Sequence, residues 1–358
     1  MAGGKLDNAK KQKADEFYTQ LTDIEKELKN YKKHFNGKVI LCNCDDPYES
    51  NFFKYFALNF DFLGIKKLIA TCYVGSPIAN RELSLFDDEN EENKTTKKPH
   101  KIEITEIPDI NQDGAVDLSD VKLLLRSDKN HLTRLKGDGD FRSQECIEIL
   151  KQSDIIVTNP PFSLFKEYIE QLVKYKKKFL IIGNKNALSY KEIFLLISRN
   201  KLRTGYRNIN QDMWFELPDT ADKWEKIVDG KKLKHIMGCW FTNLEVKKHE
   251  EELVLYKNYI PEEYPKYDNY DAINVDKVSE IPRDYKGAIG VPITFLDKYN
   301  PDQFEIIGLA ADKRDEGEIF IKGKTTYLDE GHKQFVGMVL KGKATYARII
   351  IKNKKLKE

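Results

Sequence analysis

Residues 153–165 read SDIIVTNPPFSLF, setting an amide, two prolines and an aromatic ring directly after a β-branched run. One proline is enough to stop a strand, so Asn159-Pro160-Pro161-Phe162 is either a site or a Pro-Pro turn. As a site it has a clear chemistry. The prolines stiffen a backbone whose carbonyl must point at something, the Asn159 side chain adds a second acceptor, and Phe162 offers a stacking face. Two acceptors fixed around one planar amine would pull electron density toward an exocyclic nitrogen that is otherwise a poor nucleophile. A second constellation, DINQDGAVDLSD (109–120), has calcium-loop spacing. Asp109, Asn111, Asp113, the Ala115 carbonyl and Asp117 fall at positions one, three, five, seven and nine, Gly114 at six and Asp120 at twelve. The same residues also suit an Asx-rich turn.

Alternating strands and helices must position these groups. TDIEKELKNYKKHF carries a capping box from Thr22 to Glu25 and apolar residues at helical spacing, so a helix precedes the first strand, KVILCN (38–43). SNFFKYFALNFDFLG reads as a helix ending at Gly64, KKLIATCY as a strand and SQECIEILKQ as a helix. DIIVTN follows as a strand, SLFKEYIEQLVKY as a helix opened by Ser163, and KKFLIIG as a strand. Continuous apolar strands between amphipathic helices predict an α/β fold whose mostly parallel sheet is covered on both faces, with ligands beyond the carboxyl ends of its strands. Asn43–Pro47, Cys72–Tyr73 and Asn159–Phe162 share that edge. Residues 75–135 read as a polar, mobile insertion and residues from about Lys201 onward as the last core strands followed by a β-rich region that faces a partner. The expected division is therefore 1–200 and 201–358.

The Asn-Pro-Pro-Phe stretch resembles the Asn-Pro-Pro-aromatic motif of amino-methyltransferases that use S-adenosylmethionine. GDGDF (137–141) is either a simple turn or, by resemblance, the motif whose carboxylate, Asp138 or Asp140, takes the cofactor's adenine amine while Phe141 packs beside it. DEFYT resembles the amino-terminal loop closing over the methionine part, which brings in Asp15, Phe17, Tyr18 and Thr19. Where such enzymes carry a Gly-rich turn, this chain has CNCDDPYESNF. Asp45 and Asp46, beside Asn43, either meet the cofactor's ammonium group or favour a helix amino terminus. Taken with YPKYDNYDAI and GVPITFLDKYNPDQFEIIGL, these runs resemble the EcoRI-type DNA adenine methylases over most of the chain. The resemblance implies a Rossmann-like class I methyltransferase core, a β-rich carboxyl-terminal target-recognition region, S-adenosylmethionine, and double-stranded DNA whose target adenine is flipped out. It also implies a restriction endonuclease as functional counterpart. Methylation of an RNA base or a protein glutamine, or DNA binding without catalysis, are the alternatives.

Bulk composition excludes little. Sixty basic and 58 acidic side chains leave a net charge of +2, so a nucleic-acid partner must be met by local clusters. Lys174–Lys178, Lys231–Lys234 and Lys352–Lys357 are such clusters, or solvated faces. Five cysteines without zinc-knuckle spacing predict a reduced, cytoplasmic protein. No run approaches the roughly 20 apolar residues of a membrane span, and the amino terminus lacks a signal-peptide core.

Overall fold

The computed structural model describes residues 18–44, 50–72, 99–113, 116–117, 119–121, 123, 132–217, 223–311, 319–323, 326–328, 333–335 and 337–356. The chain is mixed α/β and forms two compact units, Met1–Asn184 with Gln211–Leu244, and Lys185–Asn210 with Glu245–Glu358. The strands of the first unit up to residue 184 are β1 (Tyr18–Thr19), β2 (Val39–Cys42), β3 (Lys67–Thr71), β4 (His100–Ile104), β5 (Leu132–Arg134), β6 (Ile155–Thr158) and β7 (Lys178–Asn184). After β8 (Arg203–Thr204) of the second unit, the first unit resumes with β9 (Met213–Glu216), β10 (Lys226–Val228), β11 (Lys231–Ile236) and β12 (Gly238–Thr242).

Within the first unit the larger sheet runs β5-β4-β3-β2-β6-β7-β12. Its centre, β3-β2-β6-β7, is parallel. These strands read as apolar runs because both faces are buried: every residue of β6 is buried, as are all of β2 and β3 but the first residue of each. Helices α1 (Leu21–Leu28), α2 (Asn51–Leu58), α3 (Gln144–Gln152) and α4 (Phe165–Lys174) supply apolar stripes. Gly183 lets α4 lie close on β7, since a Cβ there would stand 2.3 Å from the Phe165 ring.

Three local expectations are corrected. The first helix starts at Leu21 rather than at Thr22: β1 runs straight into it, the Gln20 carbonyl accepts from Asp23 N and Ile24 N, and the Gln20 side chain reaches Trp214 O at 2.8 Å. Ser163 does not open α4, because Leu164 N bonds back to Pro161 O and winds Phe162–Leu164 into a 3₁₀ turn. Inside the stretch read as a polar insertion, β4 buries His100, Ile102 and Ile104 alternately and pairs antiparallel with β3, so it extends the sheet.

A smaller antiparallel sheet, β1-β9-β11-β10, completes the first unit. The second unit contains α5 (Lys191–Ser198) and a sheet ordered β13 (Ala272–Asn274), β14 (Ala288–Pro292), β20 (Arg348–Asn353), β15 (Phe304–Ala310). Short hairpins pair β16 (Thr326–Leu328) with β17 (Lys333–Phe335) and β18 (Val339–Leu340) with β19 (Lys343–Ala344). Tyr267, Ala272, Ala310, Met338 and Ile350 form a core cluster of this unit. Among the described residues no helix is long and apolar enough to cross a membrane.

Candidate active site

Because β3, β2 and β6 are adjacent and parallel, their carboxyl ends deliver Cys72, Asn43 and Asn159 to one edge of the sheet. All three are buried, with Asn43 and Asn159 each 8% exposed and Cys72 2%. Pro160 is buried, and Pro161 and Phe162 are half-buried. The Cys72 thiol lies 3.2 Å from His100 Nδ1 on the neighbouring strand.

The GDGDF loop is pressed against this edge. Gly139 has φ +78°, and a Cβ there would stand 2.2 Å from the Cys72 carbonyl oxygen and 2.9 Å from Pro99 Cβ. Only glycine lets the loop approach so closely. Asp138 is exposed and accepts from Asp140 N at 3.0 Å. The Asp140 carboxylate accepts from Arg142 N at 2.8 Å, Nε at 2.9 Å and Nη2 at 2.7 Å. Those bonds to Arg142 hold its carboxyl below the usual carboxylate range. A carboxylate offers about four lone-pair sites, so Asp138 keeps more acceptor capacity for a ligand than Asp140. Phe141 is buried edge-on to Tyr168, with ring centroids 5.0 Å apart.

The amino-terminal segment meets the Asn-Pro-Pro-Phe turn through β9. Tyr18 and Thr19 pair with Glu216 and Phe215, and the Phe215 ring lies edge-on to Phe162 at 6.4 Å. Asn51 Nδ2 donates to Thr19 O at 2.8 Å, tying the segment to α2. The Thr19 and Thr158 hydroxyls are buried without a hydrogen-bond partner among the described residues. Buried polar atoms in this state are what a ligand would satisfy. Of the residues expected here, Asp15, Phe17, Asp45, Asp46 and Tyr73 lie outside the described residues.

The calcium expectation finds no support. Asp120 is fully buried, and its carboxylate accepts from the main-chain N–H groups of Ile110, Asn111 and Asp117 at 2.7, 3.2 and 2.9 Å. Those bonds, with Asp117 foremost, hold it below its ordinary pKa. Asp109 and Asn111 accept from Asp113 N, Asp113 accepts from Asn111 Nδ2, and Asp117 accepts from Ser119 N. Their oxygens are turned to turn-forming donors, as in an Asx-rich turn; Ala115 lies outside the described residues. No group of three or more His, Cys, Asp or Glu side chains is placed to hold a metal among the described residues.

Sequence reasoning passed over Tyr168, Gln171, Phe215 and Gly139. Tyr168 and Phe215 stand at apolar positions of an amphipathic helix and an alternating strand, so both read as ordinary core. Gly139 falls within GDGDF, but its proximity to Cys72 is a long-range contact with no local signal.

The family model described as adenine-specific methyltransferase EcoRI matches residues 5–354. Type II methyltransferase M.EcoRI of Escherichia coli is 46% identical over 360 residues, covering 99% of this chain and 97% of that protein. M.MgeORF184P of Mycoplasma genitalium is 37% identical over 363 residues, covering 98% and 99%. M.MpnI of Mycoplasma pneumoniae is 37% identical over 358 residues, covering 98% of each. No solved structure gives a significant match.

Proposed function

The chain belongs to the EcoRI family of adenine-specific methyltransferases, and from that premise we propose that it methylates the exocyclic amine of an adenine within a specific DNA sequence. It is a site-specific DNA methyltransferase. The family implies S-adenosylmethionine as cofactor. The observation that carries the reading is the buried Asn159-Pro160 pair at the end of β6, beside the end of β2 and next to the Phe162 ring.

An adenine stacked in a duplex cannot present its amine to a side chain, so the target base must be flipped out. Phe162 then stacks on the base. The Asn159 side-chain oxygen and the Pro160 carbonyl accept the two amine hydrogens, which raises the nucleophilicity of the nitrogen, and Pro161 keeps that carbonyl from swinging away. When bound, S-adenosylmethionine supplies a methyl group activated by its sulfonium. The Thr19 and Thr158 hydroxyls, which find no partner among the described residues, and the close approach allowed by Gly139 fit such a group. Thr19, Asn43, Cys72, Asp138, Asp140 and Phe141 would hold it, with Asp15, Phe17, Tyr18, Asp45, Asp46 and Tyr73 completing its surroundings. Calcium has no part in this reading.

We further propose a Rossmann-like class I core, with target recognition carried by residues from Lys201 onward. The partner is double-stranded DNA, a cognate restriction endonuclease is the functional counterpart, and the site of action is the cytoplasm, in keeping with five cysteines that all stand as thiols. The test is incubation of purified protein with duplex DNA and methyl-labelled S-adenosylmethionine, followed by nucleoside digestion and mapping of modified positions. Label recovered as N6-methyladenine at one short sequence is the expected result. DNA that takes up no label, or label spread over adenines without regard to sequence, would overturn it.

A further inference from the structure

Helix α4 follows the Asn-Pro-Pro-Phe turn directly and carries three side chains to the opposite part of the candidate site. Glu167 Oε2 accepts from Arg142 Nη1 at 3.0 Å, and Gln171 Nε2 donates to Phe141 O at 2.9 Å. Between them Tyr168, only 1% exposed, donates its hydroxyl to Asn43 Oδ1 at the end of β2. The Cys44 thiol also points at that oxygen, 3.9 Å away. The Asn43 carbonyl oxygen is thus engaged by the Tyr168 hydroxyl, with the Cys44 thiol beside it. The group Asn43 can present outward is its amide Nδ2, a donor with no acceptor character.

This arrangement has a local cause. From Cys42 to Phe53 the chain contains no glycine, the residue that most readily brings backbone close to a ligand. A fixed side chain does that work instead. Tyr168 is suited to it: the ring is wedged edge-on against Phe141 and cannot swing, while burial pushes the phenol well above its ordinary pKa and keeps it a proton donor.

Building on the methyltransferase reading, we propose that Tyr168 is a positioning residue for the cofactor, holding the Asn43 carboxamide with its N–H groups toward an oxygen acceptor of S-adenosylmethionine. The hydroxyl touches neither cofactor nor base. Its loss therefore loosens cofactor binding and leaves methyl transfer from the filled site intact.

The experiment is calorimetric binding of S-adenosylhomocysteine to the full chain and to the Tyr168→Phe, Asn43→Ala and Tyr168→Phe/Asn43→Ala variants, with steady-state kinetics alongside. One net hydrogen bond corresponds to about a 3- to 10-fold change in affinity. Tyr168→Phe should weaken binding by that factor and raise the cofactor KM in step, with kcat at saturating cofactor within about twofold of the parent. In the Asn43→Ala background the same change should alter binding by less than about twofold. Equal losses in both backgrounds, or none in the parent, overturn the proposal. Should Tyr168→Phe fail to fold, Asn43→Asp decides. It keeps the acceptor for Tyr168 and removes the donor, so weaker binding supports the proposal and unchanged binding overturns it. Absence of binding by the parent chain would instead contradict the methyltransferase reading.

Discussion

Replacing Gly139 by alanine tests the link between the GDGDF loop and the sheet edge. At φ +78° an L residue costs about 1–2 kcal/mol. The new Cβ would stand 2.2 Å from the Cys72 carbonyl oxygen and 2.9 Å from Pro99 Cβ, where 3.4 Å is ordinary contact. The Cys72 carbonyl is main chain at the end of β3, and Cys72 N is itself bonded to His100 O. The loop must therefore move, by about 1 Å, or accept an overpacking cost of about 1–3 kcal/mol. Together these disfavour the present loop position by roughly 2–5 kcal/mol. If Asp138–Phe141 hold the cofactor's adenine, that energy is lost from binding, and its lower end is roughly a 30-fold loss of affinity. Calorimetry with S-adenosylhomocysteine measures it directly. Gly137→Ala is the control, since a Cβ there meets nothing within 4 Å, and it should bind as the parent does. If Gly139→Ala binds equally well, the loop does not contact the cofactor and the reasoning fails.

Two further outcomes concern stability. His249 is buried between Tyr299 O at 2.9 Å and Thr204 O at 3.0 Å, and burial pushes its pKa down to about 4. Between about pH 6.5 and 4 the unfolded chain binds the extra proton, so stability present above pH 6.5 should fall by about 1.4 kcal/mol per unit as the solution is acidified. Melting curves from pH 7.5 to 5 should show a smaller acid sensitivity in His249→Gln; identical slopes would contradict this. Millimolar calcium should leave the melting temperature unchanged, whereas Asp120→Ala should lower it by stranding three main-chain donors. A calcium-induced rise abolished by Asp113→Ala would restore the metal reading.

The parallel centre of the large sheet was legible because β2, β3, β6 and β7 are apolar runs bounded by turn residues. Their shared carboxyl edge then followed from the α/β pattern. β4 escaped notice because HKIEI alternates over only five residues beside a long polar stretch, and its burial depends on β3 being next to it. Helix starts failed where tertiary contacts outweighed local capping: Trp214 O draws the Gln20 side chain, and the Pro161 carbonyl forces a tight turn before α4. The proposed Asn-Pro-Pro-Phe site could be suggested from sequence alone because its chemistry lies within four consecutive residues. Tyr168 could not, since its meaning rests on Asn43, 125 positions away.

The central claim is that Asn159 activates the target amine, and single-turnover methyl transfer by Asn159→Ala, with cofactor and DNA both saturating, tests it most directly. Loss of an acceptor used in the transition state should slow transfer by at least about 100-fold while S-adenosylhomocysteine affinity stays within a few-fold of the parent. Transfer at a rate near that of the parent enzyme would contradict the claim.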